Sequence, residues 1–239
     1  MNSLAERCAI SRVVLVTGSA GGMGQAITRR LTSLGMSVAG IDRVESPLCD
    51  LSFVIDVTSH DDVARAVTEV ESSLGPIDAV VTTAGHYESV PFTDVTDEAA
   101  QRMLRVHVGG LLACAQAVLP GMRSRGTGTI VAITSELAVG GGDRDSHYAM
   151  AKGAIIGVVR SLAAEVAADG IRVNAVAPGP TNTPLLPDDS PWRERAYLDT
   201  LPTRALAEPE DVAVCVEYLV TGATFTIGDV LNPNSGAVI

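Results

Sequence analysis

The chain has 239 residues, 46% of them hydrophobic, and a formal net charge of −11. Such a length and balance fit a globular protein with a sizeable core and exclude disorder. The acidity argues against nucleic acid or an anionic membrane as partner, since both need basic patches. Cys8, Cys49, Cys114 and Cys215 lie far apart with no CxxC pair, as small buried hydrophobes of a reducing compartment would. The opening "MNSLAERCAI" has no apolar h-region, and the most apolar run, "GGLLACAQAVLP" at 109–120, is too short to span a bilayer. A soluble cytoplasmic protein is expected.

Strand and helix signals alternate along the chain. "RVVLVTG" is a continuous β-branched run ending at glycine, the pattern of a doubly buried parallel strand. A helix is predicted from Gly22 to about Leu34, stopped by Gly35, followed by the short strand "SVAGID" and a third strand, "FVIDVT". A helix over about 59–73 comes next, with Ser59 as its N-cap. "IDAVVTTAG" reads as strand, 97–122 as one long helix, and "GTIVAITS" as strand. The following helix carries Tyr148 and Lys152 and runs to about Ala168, with Gly170 as its stop. Strand "IRVNAVAPG" precedes a stretch, 180–203, rich in Pro, Asp and Thr and holding Trp192. A helix near 209–220 and a strand near 228–232 close the chain. Repeated β-α units of this length imply right-handed crossovers. The expected fold class is α/β: a single Rossmann-type doubly wound parallel sheet of about seven strands, flanked by helices on both faces, in one domain over 1–239.

Such a sheet binds ligands at the carboxyl ends of its strands, and the residues there are informative. "TGSAGGMG" (17–24) follows the first strand and opens the first helix. Gly18 permits a tight turn, Gly22 a close backbone approach to a ligand, and Gly24 close helix–strand packing; the free N–H groups of the helix then face an anion. Asp42 ends the second strand, where a carboxylate can accept from both ribose hydroxyls of a dinucleotide and repel a 2′-phosphate. With Arg43 the only nearby cation, NAD is favoured over NADP. Ser135 ends "GTIVAITS", and Tyr148 and Lys152, at i and i+4, share a helix face. A tyrosine working as a base near neutrality needs its pKa lowered by ~2–3 units, and one ammonium about 4 Å away at an effective dielectric of ~20 supplies roughly 4 kcal/mol. Ser135 is expected to hold the substrate oxygen.

The chain resembles the single-domain short-chain dehydrogenases/reductases from about residue 10 to its C-terminus. "TGSAGGMG" stands for the family's TGxxxGxG, with Ser19 and Met23 inside it, and "DV" (Asp56, Val57) for its adenine contact. "TTAG" (82–85, with Thr83, Ala84 and Gly85) stands for NNAG, "TS" for the catalytic serine, and "YAMAK" for the tyrosine and lysine. "PGPTNT" at 178–183 matches the nicotinamide-contacting segment, with Pro178 and Gly179 leading into Thr181 and Thr183, and "EPEDVA" at 208–213 the late helix start. The resemblance implies that Tyr148 is the acid/base, that Lys152 holds the nicotinamide ribose and lowers the tyrosine pKa, and that Thr181 and Thr183 bind the carboxamide. It implies an oxidoreductase interconverting a secondary alcohol and a ketone, working as a homotetramer or homodimer through the helices at 97–122 and 147–168. An NADPH-dependent 3-oxoacyl reductase and a non-enzymatic dinucleotide-binding module are the alternatives.

Four departures from the family pattern stand out. His107 replaces the asparagine that helps hold a relay water, and could titrate near pH 6.5. Thr82 and Thr83 replace two asparagines. The segment between Asp42 and Asp56 is too short for the usual helix, and "NPNSGAVI" lacks the aspartate-glycine-glycine ending. His60, His86, His107 and His147 have no metal-ligand spacing, so no metal is expected. Asp188 and Asp189 read as a solvated turn. Glu136, beside Ser135, and His86, after the "TTAG" turn, are read as structural rather than substrate-contacting residues, and 184–203 is expected to form a lid.

Overall fold

A computed structural model describes residues 12–239; Cys8 and most of the opening segment lie outside the described residues. Seven parallel strands form one sheet in the order β3-β2-β1-β4-β5-β6-β7. They are β1 (Val13–Thr17), β2 (Ser37–Asp42), β3 (Leu51–Val54), β4 (Ile77–Thr82), β5 (Gly128–Ile133), β6 (Ile171–Val176) and β7 (Val230–Leu231); the helices are α1 (Gly22–Ser33), α2 (His60–Ser73), α3 (Asp97–Leu104), α4 (Gly110–Arg125), α5 (Leu137–Gly140), α6 (Ser146–Val166), α7 (Arg195–Leu198) and α8 (Pro209–Thr221). The chain starts at the centre, winds outward through α1 (Gly22–Ser33) to β2, then returns past α2 (His60–Ser73) to β4 on the other side of β1. That reversal leaves a crevice between the carboxyl ends of β1 and β4, where doubly wound sheets bind ligands.

Alternation along the central strands feeds two cores. Leu15, Val80 and Ile130 face α2, α4 (Gly110–Arg125) and α6 (Ser146–Val166). Val14, Val16 and Val81 face α1 and α8 (Pro209–Thr221). On that second face Ile27 and Leu31 of α1 and Val216 and Leu219 of α8 are fully buried. Each such side chain contributes about 1.5–3 kcal/mol relative to exposure.

Three boundaries differ from expectation. The third strand begins at Leu51, because Leu51 and Ser52 pair with Ala39 and Gly40 of β2, and it ends at Val54. "DV" is therefore a turn: the Asp56 carboxylate accepts from the Thr58 amide and hydroxyl. Ser59 occupies the N-cap position of α2 without capping, since its hydroxyl donates to Asp62 instead. The single helix foreseen over 97–122 is two, α3 (Asp97–Leu104) and α4, joined by a wider π-helical turn over Arg105–Gly109, and α4 runs on to Arg125 with Gly126 in the left-handed region. Taken together, 97–125 is long and apolar enough to cross a bilayer, yet half of its most apolar window is buried in the protein. It packs on α2, α6 and β4.

Residues 43–50 contain no helix, as the short spacing implied. Asn234 anchors the C-terminal tail: its amide donates to the Val238 carbonyl, and it sits so close to Gly179 that a Cβ there would lie 2.8 Å from the Asn234 Cα.

Candidate active site

The glycine loop is held by contacts that side chains would prevent. Gly18 has φ +65° and donates to the Ile41 carbonyl at 2.8 Å, and a Cβ on Gly24 would lie 2.1 Å from the Gly18 carbonyl oxygen. At Gly22 a Cβ would meet Thr183 at 2.9 Å, so this glycine admits the 178–183 segment against the loop. Ser19 shares a hydrogen bond with Ser46. A groove of about 590 Å³ runs along the loop past Asp42 and Thr183 and also touches Arg29. A second, of about 530 Å³, continues from Gly18, Asp42 and Gly85 to Arg43, Asp56, Val57 and Ala84.

Asp42 does two jobs here. Its Oδ2 accepts from the Ala20 amide at 3.0 Å and its Oδ1 from the Arg43 amide at 2.7 Å, so the carboxylate shapes the loop while lining both grooves. A carboxylate offers about four acceptor sites, which leaves capacity for sugar hydroxyls. Thr83 also acts structurally: its hydroxyl and amide both donate to the Thr17 carbonyl, tying β4 to β1.

Ser135 follows β5, and Tyr148 stands in the first turn of α6; both line one cavity together with Met23, Gly179, Thr181 and Thr183. Lys152, one turn on, is buried and donates from Nζ to the Ile133 carbonyl at 2.9 Å, with Nζ 5.6 Å from the Tyr148 ring centroid. Burial pulls the Lys152 ammonium down to about 7. The Tyr148 phenol is held above its ordinary value by burial and then by the Glu136 carboxyl, with Ser135 acting the other way. The lowering of Tyr148 foreseen from the i, i+4 spacing is thus not what the protein alone produces. Lys152 directs its ammonium to the strand carbonyl, while burial of the phenol raises Tyr148.

His107 corrects another expectation. It sits on the π-helical turn, its Nε2 is 2.9 Å from the His86 carbonyl oxygen, and a Cβ on Gly85 would come within 2.3 Å of its ring. The His86 amide also lies 3.3 Å from the same Nε2. One nitrogen cannot donate and accept at once, and the shorter contact makes Nε2–H the donor, leaving Nδ1 buried without a partner. Burial, reinforced by Lys152, pulls His107 down to about 2, far from the value near 6.5 anticipated. It is a neutral hydrogen-bonding group throughout the physiological range.

Two residues matter more than their sequence context suggested. Glu136 is only 5% exposed, lines the same cavity as Tyr148, and accepts the Ser135 hydroxyl proton at 3.1 Å. Burial pushes its carboxyl up to about 7, with Asp145 adding to the rise. Tyr87, two residues beyond the "TTAG" turn, packs edge-on to Tyr148 at 5.2 Å and against Trp192 at 5.2 Å, and donates to Asp145. No pattern in the sequence marks it. Among the described residues no group of three or more His, Cys, Asp or Glu could hold a metal ion. His86 and His147 instead lie about 4 Å from Glu88.

Comparison with known proteins gives the same picture. A cis-4-hydroxycyclohexanecarboxylate dehydrogenase of Sinomonas cyclohexanicum is 35% identical over 94% of this chain and 96% of its own. The structure matches a 3-ketoacyl-(acyl-carrier-protein) reductase of Brucella melitensis complexed with NADH at a TM-score of 0.88 and 25% identity, over 97% of this chain and 100% of that one. It matches ElxO with NADP bound at 0.89 and 25% identity, over 95% of this chain and 98% of that one. The family model described as short chain dehydrogenase matches residues 12–194. A glycine-rich loop after the first strand and a cavity lined by a serine and a tyrosine, with a lysine one turn on, accord with that match: the chain belongs to the short-chain dehydrogenase/reductase family of oxidoreductases.

Proposed function

We propose that this protein is an NAD(H)-dependent dehydrogenase interconverting a secondary alcohol and a ketone, working as one catalytic unit with residues 184–203 as a lid over the substrate. The observation that carries the reading is continuity. The cavity lined by Ser135 and Tyr148 shares Met23, Thr183 and Leu185 with the groove along the glycine loop. A nicotinamide dinucleotide fits the residues present: the loop would take the pyrophosphate, Asp42 the ribose, the Asp56–Val57 turn the adenine, and Thr181 and Thr183 the carboxamide. Bound there, it supplies the two-electron hydride acceptor or donor.

The chain's own side chains handle the oxygen and its proton. Tyr148 accepts the hydroxyl proton in oxidation and returns it in reduction, Ser135 holds the oxygen, and Lys152 holds the nicotinamide ribose. A lowered tyrosine pKa then depends on the coenzyme's positive charge joining Lys152 against the burial that raises it. His107, its ring 5.6 Å from that of Tyr148 and its Nδ1 buried without a partner, would serve as the acceptor in the proton relay.

NAD over NADP rests on Asp42, against which Arg29 and Arg43 offer some positive charge in the same grooves. Thermal-shift titrations test this half directly: both coenzymes raise the melting temperature, NAD⁺ more at equal concentration. Stronger stabilisation by NADP⁺ would overturn the Asp42 argument and favour the NADPH-dependent 3-oxoacyl reductase reading. Tyr148→Phe is expected to abolish turnover while keeping coenzyme binding, and undiminished activity would sink the mechanism.

A further inference from the structure

The cavity holds one charged group that the dehydrogenase reading does not use. Glu136 lies next to Ser135 in the chain and against it in space, at 3.1 Å. Its electrostatic neighbours are Asp145, Tyr148 and Tyr197, with no cation among them. A buried carboxyl without a cationic partner costs free energy, and the fold around it offers no compensation beyond the serine and backbone. Such a group in a substrate cavity has its complement in the substrate.

The surroundings reinforce the sign. The catalytic cavity, about 70 Å³, opens past Tyr87, Glu136, Leu137 and Trp192 into a vestibule of about 1040 Å³. The vestibule wall carries Glu136, Asp143, Asp145, Asp189 and Glu194 against the single guanidinium of Arg144. An anionic substituent entering this space meets like charge, whereas a donor finds acceptors.

We propose that Glu136 is the specificity-determining residue, accepting a hydrogen bond from a donor substituent, hydroxyl or ammonium, on the carbon beside the reacting one. The substrate class is then a vicinal diol or 1,2-amino alcohol, with the corresponding α-hydroxy or α-amino ketone in the other direction. The inference rests on the dehydrogenase reading above.

The test uses the full chain with NAD⁺ and NADP⁺ in parallel and four alcohols on one four-carbon skeleton: 2-butanol, 2,3-butanediol, 3-amino-2-butanol and 2-hydroxybutanoate. Either donor-substituted alcohol should exceed 2-butanol in kcat/KM by roughly 10-fold or more, the worth of one charge-assisted hydrogen bond, and the hydroxy acid should fall below it. The two donor arms distinguish hydroxyl from ammonium. Glu136→Gln should cut the preference for the amino alcohol over 2-butanol by roughly 10-fold, and Glu136→Leu should remove the preference for both donors. Using the ratio within each variant cancels general damage to the site, and a melting curve confirms folding. Turnover of 2-butanol or the hydroxy acid at least as well as both donor-substituted alcohols overturns this proposal alone. So does an unchanged ratio in Glu136→Leu. No turnover of any of the four overturns it together with the dehydrogenase reading.

Discussion

Lys152 offers a test in which stability and catalysis move in opposite directions. The residue is 4% exposed, and its ammonium has fallen from 10.5 to about 7 because burial penalises the charge. In the unfolded chain the group regains its ordinary value, so between those two pH values the unfolded state binds more protons than the folded one. The sign follows: the folded protein carries the full penalty below about pH 7, and the penalty fades as pH rises towards 10.5. At ~1.36 kcal/mol per pKa unit the penalty is roughly 4 kcal/mol at pH 7 and about 1 kcal/mol at pH 9.5. Lys152→Met removes the charge and keeps most of the volume, but leaves the Ile133 carbonyl without its Nζ partner, which costs about 1–3 kcal/mol. The variant without coenzyme should therefore gain about 1–3 kcal/mol at pH 7, a rise in melting temperature of roughly 3–10 °C for a chain of this size. Its dehydrogenase activity should vanish. Calorimetry at pH 7 and 9.5 decides the matter. A variant that melts lower than the parent at pH 7, or whose difference from the parent is the same at both pH values, refutes the reasoning.

Other substitutions test the loop and the histidine. Gly24→Ala places a Cβ 2.1 Å from the Gly18 carbonyl; the loop must open, and the NAD-induced thermal shift should disappear even where the variant folds. Gly85→Ala drives a methyl to 2.3 Å from the His107 ring. That overpacking costs about 1–3 kcal/mol, visible as a lower denaturation midpoint and a lower kcat. Because His107 stays neutral down to about 2, His107→Asn should leave the acid limb of the kcat/KM–pH profile between pH 5 and 8 where it is. A limb near 6.5 that vanishes in the variant would show that the histidine titrates after all.

Much of the fold was legible because its signals are local. Buried parallel strands read as unbroken β-branched runs, as "RVVLVTG" does, and Gly35, Gly126 and Gly170 all have positive φ at helix ends. What escaped depends on contacts between distant segments. β3 starts at Leu51 because β2 offers it partners, and no periodicity within "LSFVID" states that. The π-helical turn carries His107, whose ring lies against Gly85, 22 residues earlier. Ser135, Tyr148 and Lys152 were recognisable from spacing and order, and the structure brings them to one place. Their electrostatics were not, since the spacing of Tyr148 and Lys152 says nothing of how deeply both are buried. Glu136 was easy to undervalue for the same reason: a glutamate after a serine is unremarkable until the cavity around it is known.

The turn over Arg105–Gly109 has a further consequence, for how the chain tolerates changes in length. A π-helical turn holds one residue more than the helix needs, and each residue rotates a helix by ~100°. Deleting a single residue there would restore an unbroken helix in hydrogen-bonding terms while swinging everything upstream through that angle. Met103, now fully buried, and the face of α3 that rests on α6 would turn away from their packing. His107 would leave its seat at Gly85. The surplus residue thus acts as a phase-setter: it keeps two helices, one seated on the helix of Tyr148 and Lys152 and the other on the sheet, in the rotational register that puts an imidazole beside Tyr148.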